Sequence, residues 1–136
     1  MREIKYLVIH CTATSQLAKV ESIINYWKNN LGWSSPGYHA LIEPSGKINR
    51  LQKDEFPTNG VAGYNKVSLH VSYIGGVNEK GRGLDNRTEA QKEAILGILK
   101  EWRAKYPNAI IQGHKDFPGV KKECPSFNAK EEYANI

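Results

Sequence analysis

His114, in Gly113-His114-Lys115-Asp116, and Cys124, in Lys122-Glu123-Cys124-Pro125-Ser126-Phe127, set an imidazole and a thiol beside a cation near the end of a 136-residue chain. Both are donors that zinc accepts. A third stands far away: His10 closes the apolar run Ile4-Lys5-Tyr6-Leu7-Val8-Ile9 and opens the polar run Cys11-Thr12-Ala13-Thr14. Three protein donors leave a fourth position open, the arrangement of a catalytic zinc whose usual chemistry is hydrolysis. The spacing fits no zinc finger, where close ligand pairs recur. Scattered single donors suit a metal held in a cleft between distant strands and loops. Each residue also has a plainer reading. A lone histidine closing a buried strand is more often a satisfied structural group, and a cysteine beside histidines can instead serve as a nucleophile.

The segments Val8-Ile9-His10-Cys11-Thr12-Ala13-Thr14, Gly37-Tyr38-His39, Gly63-Tyr64-Asn65, Gly75-Gly76 and Lys122-Glu123-Cys124-Pro125-Ser126-Phe127 together resemble the type 2 N-acetylmuramoyl-L-alanine amidases. That family shares its fold with the peptidoglycan recognition proteins, and the likeness runs in order from about His10 to Phe127. The resemblance implies one Zn2+ per chain, held by His10, His114 and Cys124. It implies that Tyr38 faces the water at the metal, orienting it or relaying a proton; some members of the family carry glutamate there. Lys122 matches a lysine two residues before the cysteine ligand, placed to stabilise an oxyanion, and register selects it over Lys121. Trp33, Tyr64 and Asn65 are candidates to hold peptide or sugar. His39 and His70 match no ligand position and read as structural or cleft-lining; His70 stands where a relative has glycine. The implied activity is hydrolysis of the amide between N-acetylmuramic acid and L-alanine of bacterial peptidoglycan, as in a phage or prophage endolysin.

Other readings stay open on the residues. A peptidoglycan-binding module without activity would keep the fold and lose the cysteine ligand. A regulator that contacts RNA polymerase is implied by the resemblance alone. A glycosidase needs two carboxylates flanking a sugar bond; Asp116 and Glu123 flank the metal candidates in sequence, but nothing pairs them.

A net charge of +5 with 40% hydrophobic residues suits one domain over 1-136, with a core that removes roughly two-thirds of the unfolded surface from water. Lys and Arg are interleaved with Asp and Glu, so no specific nucleic-acid site is expected. A mildly basic surface suits anionic wall polymers through screened attraction. The charged opening and short apolar run predict neither signal peptide nor membrane span, hence synthesis in the cytoplasm, action on the wall after release, and a monomer. Two cysteines make no disulfide scaffold; Cys11 reads as a small core residue facing away from His10, with a Cys11 to Cys124 bridge as the alternative.

The elements that must position these groups read as an α/β fold, a mixed central β-sheet of about five strands flanked by helices. Strands are predicted over 4–10, 38–43, 47–51, 68–74 and 109–112, with a hairpin through Pro44-Ser45-Gly46. Val20, Ile23, Ile24 and Trp27 recur at helical spacing in a segment from Val20 to Leu31 that stops at Gly32. Thr88-Glu89-Ala90-Gln91 has the form of a capping box before a helix burying Ile95, Ile98, Leu99 and Trp102. A surface loop is predicted over 77–87, and a short Asn-capped helix over 128–134.

Overall fold

The computed structural model describes residues 2–136. Its sheet is built around β1 (Tyr6–Cys11), which pairs in parallel with β4 (Ser68–Tyr73) on one side and β5 (Ile110–Gly113) on the other. β2 (Ala40–Ile42) lies parallel to β4, and β3 (Ile48–Arg50) turns back antiparallel to β2, giving the order β3-β2-β4-β1-β5. Central parallel strands are covered on both faces, which is why β1 carries a run of apolar residues.

Side-chain alternation sorts the two faces. Leu7, Ile9, Leu69, Val71 and Tyr73 meet Ile95, Ile98, Leu99 and Trp102 of helix α2 (Glu89–Lys105) in the main core. Cys11 packs in that same core. The opposite face carries Val8 and His10 from β1 and Ser68, His70 and Ser72 from β4, all buried. Three buried polar side chains at alternate positions of one strand mark that face as the polar interior, and the site lies there.

Helix α2 begins as its sequence predicts. The Thr88 Oγ1 accepts the Gln91 N–H at 3.0 Å, and the Gln91 Oε1 accepts the Thr88 N–H at 3.0 Å. The Gln91 Nε2 donates to the carbonyls of Ile42 and Ile74, fastening the helix to the sheet. The segment predicted as one helix from Val20 to Leu31 changes winding part-way. Helix α1 (Val20–Asn25) runs into a π-helical turn over Tyr26–Asn30, closed by Leu31 N–H to Tyr26 O, before Gly32 at φ +68°. The last helix, α3 (Ala129–Glu132), is shorter than predicted, with the Asn128 side chain accepting the Glu131 N–H at its start.

The loop over 77–87 ends in a residue that is not at the surface. The Arg87 side chain is only 1% exposed. It donates through Nε and Nη2 to Asp85 at 2.8 and 2.9 Å, through Nη1 and Nη2 to Glu132 at 2.8 Å, and lies 3.5 Å above the Phe127 ring. This guanidinium pins the C-terminal segment against the loop. Removing one member of a buried ion pair costs about 3–5 kcal/mol. Asp85 and Glu132 are 31% and 41% exposed and can turn to water, so the low end applies. Arg87→Leu is expected to lower stability by about 3 kcal/mol in urea unfolding. Burial raises Asp85, yet the Arg87 hydrogen bonds and charge outweigh it and hold the carboxyl below its ordinary value; Arg87 likewise holds Glu132 down. Stability from depressed carboxylates is present above their unfolded values near 4 and lost as pH falls through the folded ones. The wild-type chain should therefore lose stability on acidification more steeply than Arg87→Leu.

Candidate metal centre

Two of the three candidate donors arrive by sheet register. Ile9 of β1 lies opposite Gly113 of β5, so the next residues, His10 and His114, leave parallel strands side by side at the same end of the sheet. Their imidazole centroids are 4.9 Å apart. The third donor comes from a loop that several contacts seat against this end. A Cβ on Gly113 would stand 2.5 Å from Pro125 Cδ, so the bare glycine lets Pro125 lie on the strand end. The Tyr73 hydroxyl donates to Pro125 O at 2.6 Å, Ser126 Oγ donates to Gly76 O at 2.7 Å, and Lys115 N–H donates to Cys124 O at 2.9 Å.

The Cys124 Sγ accordingly sits 3.8 Å from His10 Nδ1 and accepts the Cys11 backbone N–H at 3.1 Å. The donor atoms of His10, His114 and Cys124 all lie within 4.8 Å of one another. A tetrahedral zinc with bonds of about 2.0–2.3 Å needs donors roughly 3.5 Å apart, so the triad fits after shifts of a few tenths of an ångström to about 1 Å. Two nitrogens and one sulfur are the borderline set that zinc prefers.

Electrostatics favour the metal-binding state of the imidazoles. Burial, then His70, His114 and Lys122, keep His10 well below the ordinary imidazole range; burial and Lys122 lower His114. Both rings are neutral at neutral pH, with lone pairs free for a cation. Contact with the Cys11 thiol, then burial, holds the Cys124 thiol well above its ordinary range, so binding a divalent cation there releases a proton. Cys11 and Cys124 are both free.

The triad lines a cavity of about 170 Å³ together with Thr12, Trp27, Trp33, Tyr38 and Lys122, and these last five residues also border an adjoining cleft of about 740 Å³ that extends to Tyr26. Tyr38 has its ring centroid 4.9 Å from that of His10 and donates its hydroxyl to Cys11 O at 3.4 Å. Burial, then Cys124, raises this phenol, so it stays protonated and acts as a donor. Gly37 makes room for the wall of the cleft: a Cβ there would meet the Trp27 indole at 3.0 Å. Trp33 stacks on Trp27 at 6.3 Å. Lys122 is exposed on the cleft beside His114 and Cys124, whereas Lys121 borders none of it.

Other candidates lie elsewhere. Tyr64 packs edge-on against Tyr6 and tilted on Phe117, in a small aromatic cluster away from the cleft. Asn65 turns inward: its Oδ1 accepts the Val61 N–H at 2.8 Å and stands 3.0 Å from His70 Nε2. His70 is buried beneath His10, and its backbone N–H donates to His39 Nδ1. Asp116 accepts the Gly113 N–H and Glu123 accepts the Gly83 N–H, so these carboxylates serve the backbone and form no glycosidase pair. Sequence reasoning missed Trp27 and the Thr12 loop as cleft walls; the helical spacing that marked Trp27 marks core and cleft alike.

Residues 1–127 match the family of N-acetylmuramoyl-L-alanine amidases. The chain belongs to that family. Among curated relatives, the endolysin of Escherichia phage T7 is 35% identical over 127 residues, 91% of this chain and 82% of the T7 protein. The endolysin of Enterobacteria phage K11 is 34% identical over 128 residues, 93% of this chain and 83% of its own length. Among solved structures, the Ph2119 endolysin from the Thermus scotoductus MAT2119 bacteriophage superposes with a TM-score of 0.78 at 25% identity, covering 92% of this chain and 79% of that one. Drosophila peptidoglycan recognition protein SA shares the amidase fold, with a TM-score of 0.79 at 18% identity over 100% of this chain and 80% of its own. Among the described residues no helix is long and apolar enough to cross a membrane.

Proposed function

We propose that this amidase is zinc-dependent, that His10, His114 and Cys124 hold the metal, and that it hydrolyses the bond between N-acetylmuramic acid and the L-alanine of peptidoglycan as a phage or prophage endolysin. The observation that carries the reading is the convergence of two neutral imidazoles and one thiol, from three separate segments, at the floor of an open cleft. A zinc ion held there would supply Lewis acidity toward the substrate carbonyl and a water whose pKa lies at about 7. The chain's own residues do the rest. Trp33 and Trp27 offer apolar rings along which a stem peptide or sugar lies. Tyr38 presents a hydroxyl that stays protonated and orients the attacking water. Lys122 supplies positive charge where the former carbonyl oxygen becomes negative, and the departing amine of L-alanine takes up the proton lost by water as the C–N bond breaks.

A complete donor set speaks against a module that only binds wall fragments. Digestion of purified peptidoglycan is expected to release stem peptides with a free L-alanine amine and to generate no new reducing sugar ends. New reducing ends without released amines overturn the assignment, because they report cleavage of a glycosidic bond.

A further inference from the structure

Beneath His10 runs a line of polar contacts whose proton positions follow from one unambiguous donor. The Val61 backbone N–H can only donate, and it points at Asn65 Oδ1 at 2.8 Å. That contact fixes which end of the Asn65 amide is oxygen. His70 Nε2 lies 3.0 Å from the same oxygen, so it must carry a proton. His70 Nδ1 faces His10 Nε2 at 2.8 Å, and one proton lies between them. A proton on His70 Nδ1 would make His70 an imidazolium at 0% exposure whose ring, among the described residues, meets only the His10 imidazole and the Asn65 amide, a state that burial strongly disfavours. The proton belongs to His10 Nε2, and His10 Nδ1 is left with a bare lone pair 3.8 Å from Cys124 Sγ.

From this geometry we infer that Asn65 and His70 are positioning residues, which lock His10 in the Nε2–H tautomer and aim its Nδ1 at the metal. The inference rests on the metal-site reading above. It assigns His70 a task that its mismatch to every ligand position concealed, and it moves Asn65 from the substrate to the support of a ligand. A metal-binding histidine ordinarily donates its second N–H to a carboxylate, carbonyl or water. Here the acceptor is a second neutral imidazole, itself anchored through an amide to the backbone. Gly60 completes the device: a Cβ there would stand 2.4 Å from His70 Nδ1, so only glycine lets the ring approach His10.

The test is long-range 1H–15N spectroscopy of the imidazoles in the full chain, with and without added zinc, alongside zinc affinities from chelator competition. His10 is expected as the Nε2–H tautomer without metal, and coordinated through Nδ1 with zinc. Losing such a supporting partner typically weakens metal binding tenfold to a hundredfold. Asn65→Leu, His70→Phe and Gly60→Ala should each fall in that range, with His10 shifting toward mixed tautomers. Asn65→Asp keeps an oxygen facing both Val61 and His70 and, in mildly alkaline buffer where His70 stays neutral, should retain an affinity within about threefold of wild type, a rescue that a packing role would not produce. Its tautomer is read with zinc bound, because the new carboxylate can charge His70 in the metal-free chain. If His70→Phe does not fold, the Asn65 pair decides, since that residue sits at the start of a partly exposed turn. A Nδ1–H tautomer in the wild-type chain, or equal weakening by Asn65→Asp and Asn65→Leu, overturns the inference. The spectra need no substrate, so their outcome is separate from which bond the enzyme cuts.

Discussion

Cys124→Ser is expected to lose zinc and hydrolysis together while the chain keeps its fold. A serine hydroxyl stays protonated and is a poor donor to zinc, so the site falls from three protein donors to two. Loss of a supporting partner alone costs up to about a hundredfold in affinity, and loss of a direct donor should exceed that. The loop itself should stay in place. Pro125 is seated by the Tyr73 hydroxyl, Ser126 by Gly76, and the backbone of Cys124 by Lys115; none of these contacts uses the sulfur. Metal analysis after dialysis, with circular dichroism as the control for folding, checks the expectation. Full zinc retention by the variant sinks the ligand assignment.

Lys122→Ala is expected to leave zinc bound and to lower turnover on wall substrate by on the order of a hundredfold to a thousandfold. That is the usual cost of removing one preorganised group that meets developing negative charge. Lys122 borders the floor of the cleft with His114 and Cys124, and its charge depresses both neighbouring histidines. Its removal should therefore ease protonation of His10 and His114, shifting the acid limb of activity slightly upward in pH. Tyr38→Phe removes only a hydroxyl, worth about 1 kcal/mol as a neutral hydrogen bond, and should cost roughly tenfold or less. Lys121→Ala should be silent. If Lys121 proves the damaging change, the register that selected Lys122 is off by one residue.

The cluster of His10, His114 and Cys124 was legible as candidate donors because its members break local patterns: a polar residue closing an apolar run, another ending the last predicted strand, and a cysteine beside a proline. The sheet was legible for a related reason, since β1 and α2 carry their burial in their own periodicity and the Thr88 capping box marks where the helix begins. Asn65 and His70 were not legible in their roles. Asn65 is defined by a backbone donor four residues away and by a ring brought to it through the fold, and a buried histidine on a strand reads the same whether it fills space or aims a neighbour. Tyr64 was misplaced toward the cleft because an aromatic beside a glycine has no local mark that separates a binding wall from the cluster with Tyr6 and Phe117. The π-helical winding after Asn25 also escaped, because the periods of the two helix types hardly differ over five residues.

The donors that converge at the cleft floor are separated by up to 114 positions along the chain. A divalent ion held by them is a cross-link between the first strand and the C-terminal loop, closing a segment whose ends are costly to bring together in an unfolded chain. Such a link stabilises only the folded state, by about 2.7 kcal/mol when free metal stands a hundredfold above its dissociation constant. The melting temperature should then track the metal content of the buffer, and chelation should open the C-terminal segment to proteases first. Arg87 holds that same segment through protein groups alone. With a metal bound as proposed, the C-terminal segment would have two fasteners, one permanent and one set by the surrounding solution.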